Sequence, residues 1–242
     1  MARAPKDVFL SDHYIRHNMR RLEHLASLGL PIHNRTVLEL GAGIGDHTLF
    51  YLDRGCSVVS LDGRSENVSA ARERLERFKS IYPDQTTDYR VFDLDEIESQ
   101  SQDVADADIV HCCGILYHLQ NPMPMLRWAH SKCKDILILE TAVSPGDDEE
   151  MRQVKEDSAQ ASQALDGVGS RPTRAWVFNR LRRLFPYAYV PSTQPSHEEF
   201  PTDWRVSQLH GKPLIRAVFI ASMRPLGQTA LLDRLPAYQG QV

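Results

Sequence analysis

The first stretch able to do chemistry is residues 36–46, T-V-L-E-L-G-A-G-I-G-D, where an apolar run meets three alternating glycines. The apolar run is typical of a parallel strand that is covered on both faces. Glycines directly after such a strand allow a sharp turn in which a ligand lies against bare backbone. A helix is predicted to begin near Asp46, with its free N–H groups directed at that ligand.

The spacing of these glycines separates two classes of ligand. A dinucleotide site uses G-x-G-x-x-G, and counted from Gly41 the third glycine position holds Asp46, so this pattern fails. The spacing here is G-x-G-x-G, and Glu39 stands two residues before Gly41. A carboxylate at that point suits a ligand with an ammonium group better than one with a pyrophosphate.

The segment E-L-G-A-G-I-G, residues 39–45, resembles the first motif of class I S-adenosylmethionine-dependent methyltransferases. The resemblance implies that the glycines face the methionine part of this cofactor and that Glu39 helps to hold its amino group. It also implies an α/β fold with a Rossmann-like, seven-stranded, mostly parallel sheet, an antiparallel last strand and helices on both faces. A glycine-rich turn without any ligand is the alternative.

Acids at the ends of the next two predicted strands continue the resemblance. Asp62 ends the second strand, residues 56–61, where a carboxylate can accept both hydroxyls of a ribose; a helix N-cap or turn aspartate is the alternative. After the third strand, residues 88–94, the resemblance implies an acid that accepts from the adenine amino group. We choose Asp93, with Asp95 as its rival. The predicted cofactor residues are Glu39, Gly41, Ala42, Gly43, Asp62, Gly63, Asp93, Leu94 and Gly114.

The fourth predicted strand leads into C-G-I-L-Y-H-L-Q-N-P, residues 113–122. This segment resembles G-x-L-Y-H-L-x-x-P in a branch of the family that includes the tRNA wobble-uridine modifiers. Ligands of open α/β sheets bind at this switch point, so Tyr117 and His118 are predicted to stand near the sulfonium and the acceptor as catalytic residues. His118 titrates near neutral pH unaided and is the candidate general base. A packing or capping role is its alternative.

Acceptor binding is assigned to residues on the carboxyl-terminal side of the sheet. Glu140 ends the fifth predicted strand in an E-T pair that resembles the same branch, and it is predicted to border the acceptor pocket. Arg171 is predicted to meet an anionic or polyhydroxylated acceptor, while the arginines that follow it form a solvated face. Trp204, with Gln194 and His197, is predicted to build a sugar or nucleoside pocket. The predicted acceptor residues are Tyr117, Glu140, Arg171 and Trp204.

A leading helix is predicted over residues 11–29. Its apolar stripe, at steps of four and three, is Ile15, Met19, Leu22, Leu25 and Leu28. Its histidines are expected on solvated flanks, although the resemblance implies that such a helix closes over the cofactor, with contact through Tyr14 or His17. The segment H-E-E-F at 197–200 is not H-E-x-x-H, so no metal site is predicted.

Length and composition fit one globular domain. The chain has 242 residues, 42% hydrophobic and 25% charged, with net charge −4, which gives no global basic field for nucleic acid. No apolar run reaches 18 residues, so no membrane association and a cytoplasmic location are expected. We divide the domain into a helical cap (1–33), a cofactor-binding core (34–141), an insertion (142–170) and a substrate-side half (171–242). The insertion, poor in large apolar residues, is expected to contain a polar helix and act as a mobile lid; a plain surface insertion is the alternative.

The sequence thus predicts an enzyme that methylates a hydroxyl of a small molecule or glycan by in-line transfer. An RNA-modifying methyltransferase, in particular one acting on tRNA, is the first alternative; it rests on the Y-H-L and E-T segments, which resemble tRNA modifiers, and on the arginines of residues 171–183. A non-catalytic cofactor-binding regulator is the second.

Overall fold

The computed structural model describes residues 4–100, 103–209, 211 and 214–242. Residues 1–3 of the predicted cap, and residues 210 and 212–213 of the predicted substrate-side half, lie outside the described residues. The helices are α1 (Pro5–Phe9), α2 (Asp12–Ser27), α3 (Asp46–Leu52), α4 (Ser65–Glu76), α5 (Pro122–Lys132), α6 (Arg174–Leu184) and α7 (Val206–Leu209), with short 3-10 helices at Ile97–Ser99 and Leu116–His118. The strands are β1 (Thr36–Leu40), β2 (Ser57–Asp62), β3 (Thr87–Val91), β4 (Ala107–Cys113), β5 (Cys133–Val143), β6 (Met151–Lys155), β7 (Val168–Pro172), β8 (Tyr187–Pro191), β9 (Thr193–Gln194), β10 (Ile215–Ser222), β11 (Leu231–Leu232) and β12 (Gly240–Gln241).

One large sheet organises the molecule, with strand order β11-β8-β10-β5-β4-β1-β2-β3. Strands β1 to β5 pair in parallel, whereas β10 runs antiparallel to both β5 and β8. This confirms the predicted Rossmann-like sheet with its antiparallel last strand. The eighth strand, β11, pairs with β8 and lies between residues 224 and 242.

The period of two in β1 divides the core into two layers. Leu38 and Leu40 pack into the cluster that contains residues of α5 and α6, whereas Val37 packs into the cluster that contains residues of α2, α3 and α4. Both faces of the sheet are therefore covered by helices, as a parallel sheet requires. The carboxyl ends of the strands are left as the open edge on which α2 and the segment 156–167 lie.

Helix α2 has the predicted position, but its apolar stripe is buried only towards the carboxyl-terminal end. Leu25 and Leu28 are buried in the core and Leu22 packs against it, whereas Ile15 is 41% and Met19 65% exposed. The histidines were expected on solvated flanks; His13 is exposed, but His17 and His24 are buried. The physical reason is that the first turns of α2 cover the polar edge of the sheet, where buried carboxylates and a pocket need partners, and only its last turn reaches the apolar core.

The insertion is a β-hairpin. β6 and β7 pair antiparallel, with Met151 opposite Pro172 and Lys155 opposite Val168, so the expected polar helix is absent from residues 142–170. Pro172 ends β7, and Thr173 caps α6 by accepting a hydrogen bond from the Trp176 amide at 3.1 Å.

Candidate active site

One pocket at the carboxyl ends of β1 to β4 collects all nine predicted cofactor residues. Its empty volume is about 870 Å³, including space open to solvent. The contributing turns are close in space because parallel strands end at the same edge of the sheet. His118 also lines this pocket, whereas Tyr117, Glu140, Arg171 and Trp204 are not among its lining residues.

The glycine turn forms the floor of the pocket. Gly41, Gly43 and Gly45 have φ values of 69°, 54° and 79°, which L side chains rarely adopt. A Cβ on Gly41 would lie 2.6 Å from the Cβ of Ile115, so a side chain does not fit there. The turn is closed by Asp62, whose Oδ2 accepts a hydrogen bond from the Gly43 amide at 2.8 Å.

Asp62 accepts more hydrogen bonds from the protein than the sequence suggested. Its Oδ1 accepts from the Arg64 amide at 2.9 Å and from Asn67 Nδ2 at 3.0 Å, and Oδ2 accepts from Gly43. A carboxylate offers about four acceptor positions, so roughly one remains, on Oδ2. This geometry leaves fewer free acceptor positions for the two ribose hydroxyls than the sequence suggested, and the assignment of Asp62 to the ribose stays a prediction. The buried Oδ1 of Asn67, which has no partner among the described residues, is a second acceptor in the same wall.

Glu39 is a buried carboxylate without a cationic partner within the described part of the chain. It is 2% exposed, and its Oε2 accepts hydrogen bonds from Thr48 Oγ1 at 2.5 Å and Ser60 Oγ at 2.8 Å. Burial raises the pKa of Glu39 to about 7, against the smaller lowering effect of these two hydroxyls. A cation bound in the pocket would favour its ionised form.

Both candidate adenine acids line the pocket. The Oδ1 of Asp93 accepts from the Asp95 amide at 2.9 Å, and the Oδ1 of Asp95 accepts from the Gln120 amide at 3.1 Å. Burial raises the pKa of Asp95 to about 6. Asp95 therefore ties the third strand's loop to the segment before α5, which leaves Asp93 as the less engaged of the two.

Two walls of the pocket come from segments without a sharp motif. α1 and α2 supply Phe9, Tyr14, Asn18 and Arg21, and the segment between β6 and β7 supplies Ala161, Ser162, Gln163 and Leu165. Arg64 holds the second segment by donating to the Ser158 carbonyl at 2.9 Å, and Asn67 donates to the Ala161 carbonyl at 3.2 Å. Of the residues implied for the helix, Tyr14 lines the pocket and His17 does not.

His118 is paired with an acid that the sequence did not reveal. Its Nδ1 lies 2.5 Å from Oε2 of Glu156, which follows β6. The other carboxylate oxygen accepts from Arg171 Nη2 at 3.0 Å, and the Ala164 amide donates to Oε2 at 2.7 Å. Burial would raise the pKa of Glu156, but these partners together hold it at about 2. No local signal marks Glu156, because it stands 38 residues after the histidine that it contacts.

Tyr117 and Glu140 belong to a buried ionic network behind His118. The Tyr117 hydroxyl accepts from Arg216 Nη2 at 2.9 Å, and the Tyr117 and His118 ring centroids are 3.9 Å apart. Glu140 accepts from Arg21 Nη1 at 2.7 Å and from Arg216 Nη1 at 3.0 Å. Neither residue lines the pocket, so the predictions that Tyr117 faces the reaction and that Glu140 borders the acceptor gain no geometric support.

Arg171 and Trp204 are engaged by the protein itself. Arg171 donates to the Tyr117 carbonyl at 3.1 Å as well as to Glu156, so it holds the segment around His118. Trp204 Nε1 donates to Gln239 Oε1 at 2.5 Å, and the Arg174 guanidinium lies 3.8 Å from its ring centroid. The expected grouping of Trp204 with its two loop neighbours is not formed: Gln194 also binds Gln239, whereas His197 packs against α2.

The pocket combines a parallel sheet, a glycine turn, two strand-end acids and a histidine at the switch point. This is the place where open α/β sheets bind nucleotide-like ligands. The profile of the family described as "Methyltransferase domain" matches residues 11–183, more than half of the chain. The chain therefore belongs to this methyltransferase family. This confirms the predicted methyltransferase class. A search of curated protein sequences gives no match.

Solved structures share the fold at low identity. The N-terminal domain of EvdMO1, crystallised in the presence of SAH and D-fucose, has a TM-score of 0.61 and 23% identity, covering 88% of this chain and 85% of that one. Magnesium protoporphyrin IX methyltransferase from Synechocystis PCC 6803, with bound SAM, has 0.57 and 14%, covering 88% and 82%. The 1,6-didemethyltoxoflavin-N1-methyltransferase of Burkholderia thailandensis has 0.56 and 19%, covering 90% and 86%. Among the described residues, no helix has the length and apolar character needed to span a bilayer.

Proposed function

We propose that this methyltransferase transfers a methyl group to a hydroxyl of a small molecule or glycan, with His118 as the general base and Glu156 as the residue that orients it. The observation that carries the proposal is the 2.5 Å contact between His118 Nδ1 and Glu156 Oε2 at the wall of the pocket. An oxygen acceptor needs such a base, because its proton must leave as the new bond forms.

The pocket fits the cofactor by the chemistry of its donors and acceptors. S-adenosylmethionine supplies a methyl group activated by its sulfonium. The buried carboxylate of Glu39 would receive the ammonium group, and the free position of Asp62, with the unpartnered Oδ1 of Asn67, would receive the ribose hydroxyls. Asp93 would accept from the adenine amino group, beside the Leu94 amide. The side-chain-free turn at Gly41 leaves the space that these contacts need.

The contact with Glu156 decides which nitrogen of His118 acts. The ionised Glu156 carboxylate accepts a hydrogen bond from the Nδ1–H group of His118. The lone pair of the neutral imidazole is therefore on Nε2. Burial lowers the pKa of His118, and Glu156 offsets part of that effect, so the ring is neutral and able to accept a proton. Once Nε2 is protonated, the adjacent carboxylate stabilises the imidazolium, in the way that the acid of a catalytic triad does.

The walls of the pocket support a small acceptor. The hairpin segment 156–167 lies over the pocket and supplies both Glu156 and four lining residues. We propose that this segment is the lid, and that it completes the base only when it is closed. The EvdMO1 domain named above was crystallised with a sugar, D-fucose, and the toxoflavin enzyme with a small heterocycle.

The RNA alternative has less support from the charges of the surface. Of the arginines that would form its basic face, Arg180 and Arg183 pair with Glu149, and Arg174 is buried against Trp204. The net charge of −4 adds no field of the required sign.

The test is methyl transfer from labelled S-adenosylmethionine to a panel of monosaccharides, deoxysugars and phenols, with a total RNA pool as a parallel acceptor. We expect label on a hydroxyl. His118→Ala should lower kcat by about 10²–10⁴-fold while the dissociation constant of the cofactor stays the same. His33→Ala, an exposed histidine, is the matched control.

Glu156→Gln separates the orienting role from loss of the base. It should lower kcat less than His118→Ala does, and it should shift the acidic limb of the pH profile of kcat. Label found only on RNA or on nitrogen, or full turnover by His118→Ala, would contradict the proposal.

A further inference from the structure

A second cluster of ligating side chains lies where α2 meets the loop before α7. His13 and His17 stand one turn apart on α2, and His197, Glu198 and Glu199 approach them from residues 195–200. We infer that this cluster is a binding site for a divalent transition metal, with Zn²⁺ as the ion that it suits best. The residues form two groups of three that share His197: His17, His197 and Glu199, which is the more buried group, and His13, His197 and Glu198. Imidazole nitrogens and carboxylate oxygens are ligands that Zn²⁺ accepts.

Two of the histidine nitrogens are buried and have no partner within the described residues. His17 is 4% and His197 2% exposed, and Nε2 of each ring makes no hydrogen bond. A buried polar nitrogen without a partner costs free energy, and each such atom calls for an explanation. A metal ion between the two rings would satisfy both atoms at once.

The distances approach those of a tetrahedral site. Glu199 Oε1 lies 3.6 Å from His13 Nε2, and Glu199 Oε2 lies 3.8 Å from His17 Nε2. Two ligand atoms bound at about 2.0–2.2 Å in a tetrahedral zinc site lie roughly 3.4 Å apart. The ligand atoms of His17, His197 and Glu199 all lie within 4.8 Å of one another. Small side-chain movements are therefore enough to bring them to one ion.

The carboxylate ligand is assigned to Glu199. Its Oε2 accepts from Arg216 Nε at 2.6 Å, which fixes the side chain in place beside the histidines. Glu198 is more exposed and pairs with Arg16, so it stands at the rim. Arg216 pairs with Glu140 as well as with Glu199, so its positive charge is balanced and does not repel a metal ion at the site.

Metal binding would change the tautomer of His197. In the structure the Glu199 amide lies 3.3 Å from His197 Nδ1, an arrangement that places the ring proton on Nε2. Coordination through Nε2 moves that proton to Nδ1, so this long contact opens when the ion binds. The loop is thus expected to shift slightly on loading.

The other candidate group in the described chain, His47, His111 and Cys113, is less suited. There His47 Nδ1 and His111 Nε2 lie 2.8 Å apart, and His111 Nδ1 lies 2.7 Å from the Tyr51 hydroxyl. These nitrogens already satisfy one another by hydrogen bonds. Burial also raises the pKa of the Cys113 thiol, which opposes the thiolate form that binds metal.

An ion at the first cluster would fasten α2 to the loop at 195–200. The same helix supplies Tyr14, Asn18 and Arg21 to the pocket, so the metal would order one wall of the active site without touching the reacting atoms. The expected role is structural.

The test uses the full chain, stripped with a chelator and titrated with Zn²⁺ against a competing chromophoric chelator. We expect one tight site, and a Co²⁺-loaded protein with the visible absorption of tetrahedral nitrogen and oxygen ligation. His197→Ala and His17→Ala should each weaken Zn²⁺ binding by at least about 100-fold, the upper end of what loss of a mere outer-shell partner costs. His33→Ala, exposed and outside the cluster, should leave the affinity unchanged.

Thermal unfolding gives a second measurement for the case that His17→Ala or His197→Ala folds poorly. Zn²⁺ should raise the Tm of the stripped wild-type protein, and it should raise that of His13→Ala less, since this residue lies on the exposed side of the cluster and its loss should not impair folding. Zn²⁺ affinity that is unchanged in both His13→Ala and His197→Ala, or that is lost equally in His33→Ala, would overturn the site. Loss of the tight site in His47→Ala alone would overturn it as well.

Discussion

Glu39 in β1 and Glu140 in β5 are two buried glutamates of one sheet, and they differ in the charge of their partners. Each is 2% exposed. Glu140 lies between the guanidiniums of Arg21 and Arg216, so its charge is balanced inside the protein. Glu39 has two neutral hydroxyl partners and no cation among the described residues. We propose that Glu140 holds the fold and that Glu39 is kept for a cationic ligand.

The pKa values of the two acids express the same difference. Burial raises the pKa of Glu39 to about 7, because no positive charge opposes the loss of solvation. Burial acts on Glu140 in the same direction, but the two arginines outweigh it and hold its pKa below the usual value. Four experiments can test whether the two acids really differ in this way.

The largest effect is expected from Glu140→Gln. The substitution leaves the buried guanidinium of Arg21 without its carboxylate and leaves Arg216 with Glu199 alone, and breaking a buried pair in this way costs about 3–5 kcal/mol of unfolding free energy. Urea unfolding at pH 7 measures it. Glu73→Gln, which removes an exposed partner of Lys6, is the control and should leave the midpoint unchanged. Equal midpoints for the two variants would show that the network around Glu140 does not stabilise the fold.

The next effect concerns the cofactor. Glu39→Gln should weaken S-adenosylmethionine binding by about 1.5–3 kcal/mol, roughly 10- to 150-fold, which is the range for a hydrogen bond to a charged group. Calorimetry measures the dissociation constant. A deaminated cofactor analogue is the control, since it should bind the wild-type protein and the variant equally. An equal loss for both ligands would mean that Glu39 shapes the turn without meeting the amino group.

How much of this was readable from the sequence depends on distance along the chain. Glu39 was predicted as a pocket residue from its place two residues before the glycines, and Asp62 and Asp93 from acids at strand ends that resemble the motifs of the family. All three signals lie within a few residues of the acid itself. The partners of Glu140 were not predicted, because Arg21 stands 119 positions before it and Arg216 stands 76 after it. Only the folded sheet brings such residues together.

Helix α2 shows the same limit in another form. Its apolar residues at 15 and 19 follow a helical period, and periodicity alone assigned them to the core. The structure buries the polar face instead, since the edge of the sheet beneath α2 carries charged groups. Which face of a helix is buried thus depends on the elements that it packs against, and the sequence of the helix alone does not show them. The metal cluster that we propose also joins α2 to a distant loop, and the local H-E-E-F spacing gave no sign of it.

A smaller effect is the pH dependence of cofactor binding. The ammonium group requires ionised Glu39, whose pKa in the free protein is about 7. Below that value a proton competes with the ligand, so affinity should fall as the pH falls from 7 to 5, by at most about tenfold per pH unit. Calorimetry across this range should show the slope in the wild-type protein and a flat profile in Glu39→Gln. A slope that persists in the variant would assign the titration to another group.

The smallest effect is a gain in stability for Glu39→Gln, whereas Glu140→Gln should lose stability. This opposite sign tests the difference between the two acids most directly. Because the pKa of Glu39 is raised from 4.5 to about 7, the folded state holds a proton that the unfolded state has released between these values. Its contribution to stability is therefore fully present below pH 4.5 and is lost as the pH rises to about 7. A pKa that differs by one between the folded and unfolded states corresponds to about 1.4 kcal/mol, so the loss is at most about 3.5 kcal/mol.

Glu39→Gln removes this buried charge while keeping a carbonyl oxygen for Thr48 and Ser60. The cofactor-free variant should thus be more stable than the wild-type protein at pH 8 by about 1 kcal/mol, less than the limit because the amide also buries an N–H₂ group that needs a partner. The gain should shrink towards pH 5, and urea unfolding at both values measures it. If Glu39→Gln destabilised the protein at pH 8 as Glu140→Gln does, Glu39 would have a partner that holds it charged, and it would be an acid of the fold like Glu140.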